Sequence, residues 1–197
     1  YQTNQNELAD WVRENVSFPS CMVDRITPRT HDPLRFEVDE LFPGYGKTAI
    51  QTEEFTQWVI EDDFAAEFPD LTEVGVTITK NLEPYEETKI RILNGGHTSL
   101  AYLGVLSGYN TFDEVMSDQA HLKHFKLLQS EEIVPSIEMD LPFDIDEYVE
   151  TIEERLSAAY NNDHLERICM DGFTKFHTFI VPSLRVCLEQ RKRPIHI

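Results

Sequence analysis

Apolar positions change rhythm once along this chain. Up to about residue 84 they come in short bursts, separated by polar stretches that carry Pro and Gly; beyond it they recur every three or four residues. Residues 7–15 predict a short amphipathic helix. Residues 16–21 lead into a strand ending near Val23, and the Asp-Arg-Ile-Thr-Pro that follows leaves it for a loop, since Pro28 disfavours helix at Thr27. Residues 30–52 read as a polar connection containing Pro33, Pro43, Gly44 and Gly46. Residues 55–61 have the β-branched and aromatic content of a strand, and residues 74–79 alternate like another.

The second half predicts helix after helix. Residues 85–107 form a long apolar-rich segment whose period suits a buried helix. Residues 110–116 continue helical behind Thr111 as cap, and residues 121–134 form a helix that Pro135 closes. Asp144 or Asp146 caps a helix reaching Leu156, residues 163–169 begin another, and residues 179–190 hold the last. There is no internal repeat and no low-complexity tract. Strand and loop followed by nearly continuous helix predicts a composite of two parts.

Charge narrows the range of partners. Thirty-six acidic against seventeen basic residues give a formal net charge of −19, which argues against nucleic acid and anionic membrane surfaces. Runs such as Glu61-Asp62-Asp63 and Glu131-Glu132 read as solvated faces. No apolar run approaches the ~20 residues of a membrane span, and no secretory leader opens the chain. Cys21, Cys169 and Cys187 lie far apart, the usage of buried thiols in a reducing compartment, so the expected location is the cytoplasm.

Three segments carry candidate chemistry. Lys89-Ile-Arg-Ile-Leu-Asn94-Gly-Gly-His97 places an amine, a carboxamide and an imidazole within nine residues. Asn94 and His97, three apart, share a helix face. At 3.6 residues per turn Lys89 lies about 80° from His97 and about 140° from Asn94, so the first turn must be loose or the lysine stem must reach round. Gly95 and Gly96 each cost a helix about 1 kcal/mol relative to Ala, which predicts close packing or a site as compensation. Such a trio suits oxidation of a secondary alcohol: a lysine of lowered pKa takes the hydroxyl proton, and neutral donors stabilise the oxyanion. Taken singly, the lysine is usually a surface cation, the histidine more often a core residue than a catalyst, and the asparagine a cap or backbone bridge.

The second segment, Met22-Val-Asp24-Arg25-Ile-Thr-Pro28, puts an Asp at a strand's C-terminal end, where open α/β sheets bind ligands. Alternatively Asp24 caps the next turn or pairs with Arg25. In the third, Arg167 and Lys175 face one direction if their helix continues past Gly172; two cations there suit several hydroxyls or a carboxylate, or else are surface ion pairs. His121 and His124 have the spacing for a metal but lack further ligands. Gly44-Tyr-Gly46-Lys falls short of a phosphate loop, and no Gly-x-Gly-x-x-Gly fingerprint occurs.

Together these segments, over residues 7–190, resemble the polyol-specific long-chain dehydrogenases, the family of mannitol 2-dehydrogenase and fructuronate reductase. The resemblance implies an α/β edge of a nucleotide-binding domain followed by a mainly α-helical domain, like the C-terminal domain of 6-phosphogluconate dehydrogenase. Residues 1–84 then complete a Rossmann-type domain and residues 85–197 begin the helical substrate domain, the whole being part of a longer enzyme. It implies Lys89 as general acid–base, Asn94 and His97 as carbonyl-polarising groups, and Glu86 as a carboxylate passing protons to solvent. It places Asp24 against a substrate hydroxyl or the nicotinamide end of NAD or NADP, puts Arg167 and Lys175 on the substrate, and requires no metal. The expected activity interconverts a sugar alcohol and a ketose, with a sugar-acid substrate as one alternative and a non-catalytic acidic helical module, binding a protein partner, as the other. His177, where the family has proline, and Gly172-Phe173, where it has small polar residues, depart from the pattern. No oligomeric state follows from the sequence.

Overall fold

The computed structural model describes residues 2–197, with side chains from residue 7 onward. Helix α1 (Gln2–Asn15) precedes strand β1 (Cys21–Asp24), helix α2 (Asp32–Leu41) and strands β2 (Gln57–Glu61) and β3 (Val76–Thr79). The three strands form one sheet in the order β1-β2-β3; β1 runs antiparallel to β2, with Asp24 opposite Gln57, and β3 parallel to it. Alternation works as expected in β1: Met22 and Asp24 point inward, Cys21 and Val23 outward. Met22, Val59 and Leu82 pack with Tyr85 into a small core under the sheet.

Helix α2 falls within the predicted connection. Pro33 looked like a breaker there, but it occupies the first turn, where a missing N–H costs nothing and the fixed φ suits the helix. The helix buries no residue fully and exposes Phe36, while Leu34 and Val38, one turn apart, are half-buried.

The remainder is helical. Helix α3 (Glu83–Thr88), a π-helical stretch at Lys89–Gly95 and helix α4 (Gly96–Ser107) run on continuously. Helix α5 (Phe112–Ser117) begins in a capping box of Thr111 and Glu114. Helix α6 (Gln119–Leu127), capped by Asp118, widens into a second π stretch at Leu128–Ile133 and tightens to 3₁₀ at Val134–Ser136, where Pro135 ends it. Asp144 caps α7 (Ile145–Ser157), accepting from the N–H groups of Asp146 and Glu147. Helices α8 (Leu165–Cys169) and α9 (Gly172–Lys175) follow, then a third π stretch at Phe176–Ile180 and α10 (Val181–Glu189). The main core lies among these helices and includes Ile92, Leu100, Phe112, Phe125, Ile152 and Leu165.

The glycine pair is explained by packing. A Cβ on Gly95 would stand 2.9 Å from the carbonyl of Phe179, and one on Gly96 would stand 2.8 Å from the ring of Phe125. Buried Gln129 donates its Nε2 at 3.0 Å to the Ile92 carbonyl, which also accepts the backbone N–H of Gly96. Glu132, expected on a solvated face, is instead buried: its carboxylate accepts the backbone N–H groups of Ile195, His196 and Ile197 at 2.5–2.8 Å. No described helix is long and apolar enough to cross a membrane.

Candidate active site

The π stretch answers the angular problem in the sequence. In a helix closed by i→i+5 hydrogen bonds, residues five apart lie one above the other, so Lys89 and Asn94 share a face. From Asn94 the step to His97 is an ordinary helical i,i+3 neighbour. The three side chains therefore form one half-buried stripe across the join between the π stretch and α4. Among the described residues, Lys89 and Asn94 have no hydrogen-bonding or ion-pair partner for their side chains. Glu86 is half-buried on α3, three residues before Lys89, and its carbonyl accepts the Lys89 N–H.

His97 lies edge-on against Phe112, with ring centroids 4.4 Å apart and its side chain 15% exposed. Burial pushes the imidazole pKa down to about 4. Asp163 opposes this, while the cations Arg167, Lys175 and Arg155 reinforce it. At neutral pH the ring is uncharged and carries a single N–H. Its Nε2 stands 3.5 Å from Asp163 Oδ2, beyond hydrogen-bond range. Asp163 Oδ1 accepts from Arg167 Nε at 2.9 Å and from its Nη2.

Asp163 thus brings together two of the residues singled out from the sequence. Lys175 belongs to the same neighbourhood, its charge acting on His97 while its Nζ donates to the Ile168 carbonyl at 2.8 Å. The helix does break between the two cations, as Gly172 predicted: α8 ends at Cys169, and Asp171 adopts φ 56° before α9 begins. A cleft of about 780 Å³ opens beside Arg167 and Asp163, with Arg29, His31, Lys47 and His164 also on its walls.

Asp24 is placed differently. It is buried at the end of β1, and Arg155 of α7 holds both its oxygens, Nη1 to Oδ2 at 2.8 Å and Nη2 to Oδ1 at 3.0 Å. The same guanidinium donates to Glu53, Nε to Oε2 at 3.0 Å and Nη2 to Oε1 at 2.7 Å, and lies 3.9 Å over the Phe55 ring. Arg25 does not pair with Asp24; its Nε donates to the Glu53 carbonyl at 3.0 Å. The trio ties the strand segment to the helical one. Arg155 reaches as far as the wall of a small void of about 10 Å³ that His97, Asn161 and Asp163 also line. Both oxygens of Asp24 are therefore engaged within the protein, whereas the side chains of Lys89 and Asn94 have no partner among the described residues.

Arg155, Glu53 and Asp163 were not singled out from the sequence. Arg155 left a trace: it follows Ile145, Tyr148, Val149 and Ile152 on the inward stripe of α7, where a cation is out of place without buried acids to meet it. His121 is occupied by Asp118 at 2.9 Å and by Ser107 at 3.1 Å, and among the described residues no three His, Cys, Asp or Glu side chains gather into a metal site.

Known proteins share this architecture. The profile of the mannitol dehydrogenase C-terminal domain matches residues 81–197, and that of the mannitol dehydrogenase Rossmann domain matches residues 1–73. Mannitol dehydrogenase 2 of Saccharomyces cerevisiae is 36% identical over 188 residues, which cover 95% of this chain and 37% of that protein. Mannitol 2-dehydrogenase of Aspergillus fumigatus is 39% identical over 181 residues, covering 90% of this chain and 36% of that protein. Among solved structures, the Pseudomonas fluorescens mannitol 2-dehydrogenase ternary complex with NAD and D-mannitol superposes with a TM-score of 0.81 at 36% identity, over 95% of this chain and 38% of that one. A D-sorbitol dehydrogenase in substrate-free form gives 0.88 at 30% identity, over 98% of this chain and 40% of that one. The chain spans less than half the length of these relatives. Two profiles that together cover residues 1–73 and 81–197, and relatives matched along nearly the whole chain, establish that it belongs to the mannitol dehydrogenase family.

Proposed function

We propose that this chain carries the proton-transfer and substrate-holding part of an NAD(P)-dependent polyol dehydrogenase that interconverts a sugar alcohol and a ketose. The observation that carries the reading is the π stretch, which puts Lys89 and Asn94 on one face with His97 a turn beyond. Lys89, the one flexible base of the three, exchanges the carbinol proton. The Asn94 carboxamide donates to the oxygen as charge develops there, and the neutral His97 adds a further polar contact in a partly dry setting. Glu86, three residues before Lys89, relays that proton toward solvent. Arg167, half-exposed and steadied by Asp163, and Lys175 hold substrate hydroxyls. Asp24 acts through Arg155, keeping the strand end fixed against α7. When bound, the nicotinamide supplies or accepts the hydride.

NAD is the cofactor in the mannitol-bound structural neighbour, and NAD is the expectation here. The residues 1–84 and 85–197 act as the edge of the nucleotide domain and the start of the substrate domain. Changing Lys89 to Ala in the full-length protein is expected to abolish polyol oxidation with either NAD or NADP, while the melting temperature stays close to that of the parent. Near-normal turnover discards the lysine assignment. A panel of hexitols, pentitols and hexonates on the parent protein separates polyol from sugar-acid chemistry.

A further inference from the structure

Three buried polar atoms converge without any partner in the protein: His97 Nε2, Asp163 Oδ2 and Asn161 Oδ1. All three residues line the same void of about 10 Å³, close to the space one water requires. Two of the atoms, Asp163 Oδ2 and Asn161 Oδ1, can only accept; the third belongs to a ring whose single N–H can sit on either nitrogen. A proton on Nε2 makes the facing pair attractive, whereas a lone pair there would look at a carboxylate oxygen 3.5 Å away. A slight movement of the ring closes that gap directly. One water closes it equally well, accepting from Nε2–H and donating to both oxygens. Either way the proton sits on Nε2. The other oxygen of Asp163 is already taken up by the Arg167 fork.

We propose that Asp163 is a positioning residue for the dehydrogenase reaction, one carboxylate oxygen fixing the Nε2–H tautomer of His97 while the other fixes the Arg167 guanidinium. The inference rests on the functional reading above and refines it. With its proton on Nε2, the imidazole keeps a lone pair on Nδ1 and accepts a hydroxyl hydrogen. Donation to the developing oxyanion then belongs to Lys89 and Asn94. A single carboxylate thereby serves both residues, Oδ2 facing His97 and Oδ1 held by Arg167.

The test uses the full-length protein labelled with ¹⁵N-histidine. Long-range ¹H–¹⁵N correlation near neutral pH reports which ring nitrogen bears the proton, with His97 assigned by the signals lost in His97→Gln. The parent protein is expected to show the Nε2–H form, and an Nδ1–H form overturns the proposal without any further variant. Asp163→Asn, isosteric but able to accept on one side only, is expected to shift His97 toward the other tautomer. It should also lower kcat on the order of 10–100-fold, by analogy with the loss of a carboxylate that orients a metal-bound histidine, and raise KM for the polyol. An unchanged tautomer, or unchanged kcat and KM, overturns the positioning role. The spectrum needs no turnover, so failure of the tautomer assignment is distinguishable from failure of Lys89→Ala to abolish the reaction.

Discussion

Replacing Arg155 by Met would test how the strand segment is held to the helices. The parent guanidinium makes four charge-assisted hydrogen bonds to Asp24 and Glu53, at 2.7–3.0 Å. Those acids are 2% and 1% exposed. Methionine keeps most of the stem's contact with Phe55 but leaves two carboxyl groups in the interior without a counter-ion. Removing one partner of a buried ion pair costs about 3–5 kcal/mol, a large fraction of the ~5–15 kcal/mol that a domain has in total. The deficit carries a pH signature. Unpaired interior carboxyls bind protons more readily in the folded chain than in the unfolded one, so the variant's stability falls relative to the parent as pH rises. Denaturation midpoints of the full-length protein at pH 5 and pH 8 are expected to show the larger loss at pH 8. Adding Asp24→Asn and Glu53→Gln should recover part of it by removing the stranded charges. A deficit below about 1 kcal/mol, equal at both pH values, would place the trio with ordinary surface pairs and refute the reasoning.

Two further outcomes follow from the same packing. Changing Gly96 to Ala gains about 1 kcal/mol of helix propensity but drives a methyl into Phe125 and Gln129, an overpacking of about 1–3 kcal/mol; a net loss in the denaturation midpoint is expected, and a stabilised variant contradicts the close contact. The buried His97 imidazole, with its pKa near 4 against an ordinary 6.5, refuses a proton that the unfolded chain accepts between those values. Stability is therefore lost as pH falls through that window, by up to about 3 kcal/mol. His97→Gln should flatten the slope, and an identical dependence of melting temperature on pH in both proteins would rule the burial effect out.

The helical half and the strands were legible because their periods are local properties: Thr111 and Asp144 cap where a side-chain oxygen meets free N–H groups, and Pro135 stops a helix it cannot continue. Helix α2 was not: Leu34, Val38 and Leu41 do repeat at helical spacing, but the prolines and glycines around them read as a connection. The Lys89, Asn94 and His97 stripe was half legible. Spacing placed the groups within nine residues, but α-helical geometry set Lys89 and Asn94 apart, and only the wider turn realigns them. Asp163 and Arg155 act across 66 and 131 residues of chain from His97 and Asp24 respectively, and no pattern within a window of one or two turns can encode such a meeting. Glu132 was misread for the same reason: what makes it buried is the tail at residues 195–197 folding back over it.

A wide turn is the trace left by one surplus residue in an otherwise regular spiral. Dropping a single position anywhere between Lys89 and Gly95 would let the segment relax into a plain α-helix, with its hydrophobic content almost intact. A cut between Lys89 and Asn94 would leave the amine and the amide four apart, still neighbours on one α-helical face. A cut after Asn94 would instead leave them five apart in the narrower spiral, about 140° round from one another, so for this stretch the place of a lost residue matters more than its identity.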